Sequence, residues 1–150
     1  MSVEATPEQE AIIARLKQLP KYDARVHRLI PEEQRLEKDE YGLVLDYLVV
    51  TFGSVYPLAG DRSIEGPEQQ PQGMPIIVEC WSAKGPGSAA QGAGNVRTSL
   101  LGFQPTPDNS TPIELRGGGL FDRRDGAGRP VRWMESVTAL TGLNMSYETD

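Results

Sequence analysis

Two runs, residues 46–54 (DYLVVTFGS) and 74–83 (MPIIVECWSA), are apolar on both sides of a period-two alternation. In the first, Leu48, Val50 and Phe52 alternate with Tyr47, Val49 and Thr51; in the second, Ile76, Val78 and Cys80 alternate with Ile77, Glu79 and Trp81. Apolar character on both faces, from β-branched and aromatic residues, predicts neighbouring strands in the middle of one sheet. The connection between them, residues 55–73 (VYPLAGDRSIEGPEQQPQG), is long and rich in Gly, Pro and Gln, yet carries Tyr56, Leu58 and Ile64 among its turn residues. Together they predict a β-hairpin whose tip contacts another protein.

Helical spacing appears twice. Ile12, Ile13, Leu16 and Leu19 follow a start signal in which Thr6 caps, Pro7 takes the first helical position and Gln9 stands three residues after the cap. Pro20 ends that helix. Ala89, Ala93, Val96, Leu100 and Phe103 form a second stripe across residues 88–103. Gly92 and Gly94 weaken this helix by roughly 1 kcal/mol each relative to Ala, which is accounted for if something must approach it closely, either the sheet or a neighbouring subunit.

Shorter signals complete the pattern. Residues 24–30 (ARVHRLI) predict a strand ending at Pro31, with Val26 and Arg28 facing one way and His27 and Leu29 the other. Residues 32–40 (EEQRLEKDE) read as a solvated connection or one exposed helical turn. A Pro-rich connection over 104–112 leads to a strand over 113–121, broken by Gly117, Gly118 and Gly119, where a bulge or bend is expected. A turn at 125–128 and a last strand from Val131 to about Leu140 follow. The expected fold is α+β: a central antiparallel or mixed sheet covered by two helices, with a long hairpin loop. A chain of 150 residues is the size of one domain, spanning 1–150, with flexible ends at about 1–5 and 145–150.

Composition narrows the function classes. A formal charge of −6 argues against a protein that grips the phosphate backbone, since that binding needs clustered Lys and Arg. The one cysteine, Cys80, allows no internal disulfide, and no secretory core or membrane-spanning run is visible, so the chain reads as cytoplasmic when made. Arg123, Arg124, Arg129 and Arg132 form the only basic concentration, but Asp122 and Asp125 sit among them and predict local ion pairing.

Candidate chemistry is sparse. Gly92-Ala93-Gly94 begins like a dinucleotide fingerprint, but Arg97 stands where the third glycine belongs. The glycines and lysine of residues 83–88 (AKGPGS) are not in phosphate-loop order. His27, the only histidine, reads as a partly buried edge-strand residue, and Cys80 as a small core hydrophobe with a raised pKa. No spacing singles out a carboxylate pair among Asp46, Glu79, Glu114, Asp122, Asp125 and Glu135. No catalytic, cofactor-binding or metal residue is assigned, and the chain is expected not to be an enzyme.

The leading helix TPEQEAIIARLKQL, the strand DYLVVTFGSVYP, the loop GDRSIEGPEQQPQG, the strand MPIIVECWSA, the helix after it and the closing pair of strands resemble the tail terminator proteins of long-tailed, siphovirus-like bacteriophages. The resemblance is to the small versions from phages of actinobacterial hosts and covers residues 6–143. It implies a structural virion protein whose homohexameric ring caps the tail tube, stops its polymerisation and joins the tail to the head connector. The partners it implies are further copies of the chain, the major tail tube protein and a head-completion or connector protein. DNA passes through the ring without specific binding, and no membrane is involved. It places the protein at the head–tail junction of the virion, and in the host cytoplasm during assembly. Tyr56, Leu58, Arg62 and Ile64 are the expected intersubunit or tube contacts, unless the loop packs on its own sheet. The alternative within the same class is another phage neck or head-completion protein.

Overall fold

A computed structural model describes residues 6–57, 72–124 and 130–143. The elements run α1 (Thr6–Lys17), β1 (Val26–His27), a 3-10 turn (Glu33–Arg35), β2 (Tyr47–Phe52), β3 (Tyr56–Pro57), β4 (Gln72–Ser82), α2 (Pro86–Leu100), β5 (Glu114–Leu115), β6 (Leu120–Arg124) and β7 (Pro130–Leu143). They form one mixed sheet in the order β1-β2-β4-β7-β5, with β3 also pairing with β4 and β6 with β7. Among the described strands only the β1–β2 pair is parallel. The α+β architecture expected from the pattern, a sheet covered by two helices with a long hairpin, is the one observed.

The two-sided apolar runs became the centre of the sheet, as the alternation requires. β2 pairs with β4 from Tyr47↔Trp81 to Phe52↔Ile76, and β4 pairs with β7 along its whole length. The last strand is therefore longer than the sequence pattern indicated, because β7 continues past Leu140 to match β4. The strand expected over 24–30 is reduced to Val26–His27, since only Val26↔Leu48 and His27↔Val49 pair before the chain leaves the sheet.

The strands flanking the long β4–β7 pair each carry an extra residue. Between Phe52↔Ile76 and Tyr56↔Gly73 the register slips by one, and again between Leu115↔Ala139 and Leu120↔Glu135. The second slip is the expected bulge at the three glycines. A Cβ on Gly118 would lie 2.1 Å from the Ser136 carbonyl oxygen, so the edge can bend onto β7 there only without a side chain. The first slip explains a proline in a central strand. The Pro75 carbonyl accepts from Gly53 N–H at 2.9 Å, so the donor that proline lacks falls on the same side, where the ladder is already broken.

One face of the sheet holds the main core. Leu48, Val50, Met74, Ile76, Val78, Cys80, Val137 and Ala139 meet Ile12 and Leu16 of α1 and Ala93, Val96 and Leu100 of α2. Each aliphatic side chain buried this fully stabilises the fold by roughly 1.5–3 kcal/mol. Gly92 is the close-approach position that its place in α2 implies, and the group approaching is Tyr22: a Cβ there would lie 2.1 Å from the phenol oxygen. Gly94 has open space around it.

Candidate interaction surfaces

Cross-strand rows define the second face of the sheet, away from the helices. Tyr47–Trp81–Met134 and Val49–Glu79–Ser136 form its first half; Thr51–Ile77–Thr138 and Pro75–Leu140–Glu114 form its second. The first half is covered by the chain itself. Leu36 and Val44 pack on Tyr47, Val49 and Trp81, with the Tyr47 and Trp81 rings stacked at 6.1 Å and His27 edge-on to Tyr47 at 5.9 Å. The charge run over 32–40 is therefore more than a solvated connection. Its 3-10 turn is the expected single helical turn, but Leu36 anchors it to the sheet and Glu33 pairs with Arg132, which is buried on β7. Arg132 thus bonds to a residue far away in sequence, where a pairing local to its own turn was expected.

From this root a short hairpin projects. Lys38 bridges Val44, Leu45 N–H donates to Glu37 at 2.8 Å, and Asp39 N–H donates to the Leu43 carbonyl at 2.8 Å. The Asp39 carboxylate accepts from the amides of Tyr41 and Leu43, both at 2.9 Å, and Gly42 takes a φ of 81° that closes the turn. The amides of Asp39, Tyr41, Gly42 and Leu43 all donate within the tip, yet its apolar side chains are exposed, Tyr41 at 87% and Leu43 at 41%. Leu29 and Ile30, between β1 and the 3-10 turn, are 82% and 80% exposed. All four apolar side chains lie on the stretch of chain that leaves β1 and returns to β2.

The second half of the outer face carries others. Ile77 is 37% exposed in the middle of the sheet, beside exposed Thr51, and Tyr56 on β3 is 41% exposed. Arg116 joins the same row through its N–H to the Thr138 carbonyl, and its side chain pairs with Glu114 at 3.2 Å in solvent. Of the four contact residues expected from the sequence, Tyr56 lies on β3, paired with Gly73 at the base of the long hairpin. Leu58, Arg62 and Ile64 lie outside the described residues, as do the turn at 125–128 and both chain ends. Leu29, Ile30, Tyr41 and Leu43 were not singled out by the sequence pattern. The signal for Tyr41 and Leu43 was Asp39 three residues before Gly42, a turn signature at the end of a charge run; no sequence signal marked Leu29 and Ile30.

The polar groups with perturbed chemistry serve the fold. Asp46, buried at the start of β2, sits under the N-terminal turn of α2, where Lys21 reaches it at 2.5 Å and the Ser88 hydroxyl donates to it at 2.8 Å. Burial pushes its pKa up, but the hydrogen bonds from Lys21, Ser88 and Ser82 and the Lys21 charge outweigh that and hold it below the ordinary carboxylate value. Burial, with help from nearby Glu135, pushes the Cys80 thiol up to about 12, which keeps it a core hydrophobe. Partial burial lowers the His27 pKa. Among the described residues no three His, Cys, Asp or Glu side chains converge as a metal set, and no described helix is long and apolar enough to cross a membrane. No protein-family model matches the sequence, and comparison with curated proteins finds no match.

Proposed function

We propose that the chain is a structural virion protein that assembles head to tail into a ring, caps a bacteriophage tail tube and joins it to the head connector. The observation that carries this reading is that, among the described residues, exposed apolar side chains occur on two different elements besides the isolated Leu101 and Val131. One is the 29–43 segment; the other is the open half of the sheet. Two different surfaces make a heterologous contact, and a heterologous contact repeated by rotation closes a ring. The one-sided helical layer supports the same reading, because it leaves a sheet face and two lateral edges for neighbours. In a six-membered ring the formal charge would be about −36, six times that of one chain, and such a lumen repels DNA passing through it.

The test is to add purified chain to polymerising tail-tube protein and measure tube lengths by electron microscopy. The expected result is shortened tubes bearing one extra ring of density at a single end. Tubes that grow to the same lengths with bare ends overturn the proposal.

A further inference from the structure

We infer that the exposed 29–43 segment of one copy docks on the open half of the outer sheet face of the next copy, with the Tyr41 tip seated over Ile77. This rests on the ring reading and assigns the contact within it.

Several observations point to a second copy as the occupant. The first half of that same face already accepts the root of this segment, through Leu36 and Val44 against Tyr47, Val49 and Trp81. The second half continues the surface with Thr51, Ile77, Thr138 and Leu140, so a neighbour's segment extends a packing that the chain makes with itself. Tyr41, 87% exposed, does not reach the open half of its own sheet. Charge also matches: exposed Lys38 and Glu40 flank the tip, while Glu114 and Arg116 border the open half-face in a solvent-exposed pair that can exchange partners. Finally, the tip is preorganised by Asp39 and Gly42, so docking it orders few new torsions. A rigid exposed tyrosine is the side-chain type that dominates protein contacts.

The experiment uses full-length chains carrying Tyr41→Cys, Ile77→Cys, or both, treated with a short thiol cross-linker. Buried Cys80 serves as the internal control in the wild-type chain. The expected result is a covalent ladder from the double variant and a covalent dimer from the two single variants mixed, with no adduct from wild type. In parallel, Tyr41→Asp should weaken self-association at least about tenfold while the circular dichroism spectrum and unfolding midpoint stay at wild-type values. Rings formed by wild type and by the cysteine variants with no cross-link between positions 41 and 77, or adducts between two Tyr41→Cys chains, overturn the assigned contact and leave the ring reading standing. A wild-type chain that forms no ring alone or on tubes overturns both.

Discussion

At Gly92, α2 gives up helix propensity for contact. Alanine would gain roughly 1 kcal/mol of propensity but place a Cβ 2.1 Å from the Tyr22 oxygen, and overpacking of that kind costs about 1–3 kcal/mol. Gly92→Ala should therefore lower stability by up to about 2 kcal/mol in denaturant unfolding, and adding Tyr22→Phe, which removes the colliding oxygen, should recover most of the loss. Gly94→Ala, with open space around it, should raise stability by about 0.5–1 kcal/mol in the same assay. Asp46 gives a pH signature. Its folded pKa lies below the ordinary value of 3.8, so its contribution is fully present above that value and is lost as pH falls through the lower folded pKa. Asp46→Asn should cost about 1–3 kcal/mol at pH 7, and the gap between variant and wild type should narrow as the unfolding titration is carried below about pH 4.

Among the elements, the segment over 33–44 is the one whose role the sequence hid. Strands β2 and β4 and both helices were legible because each is long enough for its period to show, and their burial follows the alternation. Residues 32–40 carry one apolar side chain, Leu36, among charges, so nothing in the period marks them as a cover for the sheet. The anchor is a pairing between Glu33 and Arg132 across 99 positions, which no local pattern encodes. The bulges were half legible: three glycines in a strand announced one, while the slip at Gly53 depends on Pro75 in the facing strand. Arg132→Leu should release the segment selectively. Hydrogen exchange should then speed up at the amides of residues 36–45 by about five- to thirtyfold, as expected for a loss of about 1–2 kcal/mol, with β4 amides unchanged. Equal acceleration in β4 would mean that the ion pair supports the whole fold and not this segment.

For the molecule as a whole, the fold is asymmetric: helices and the main core on one side, and on the other a sheet face half covered by its own hairpin. The sequence made the sheet and its helical cover legible, and it placed the expected contacts in the long loop over 55–73. Tyr56 of that loop is exposed, and Leu29, Ile30, Tyr41, Leu43 and Ile77 are exposed outside it, because exposure depends on which half of a face the chain happens to cover. Ring assembly is the claim on which the rest depends. Negative-stain electron microscopy of the purified protein, alone at high concentration and on purified tail tubes, tests it directly. Rings with an open centre, free or seated on tube ends, are the expected result; particles of single-chain size in both preparations would rule ring assembly out.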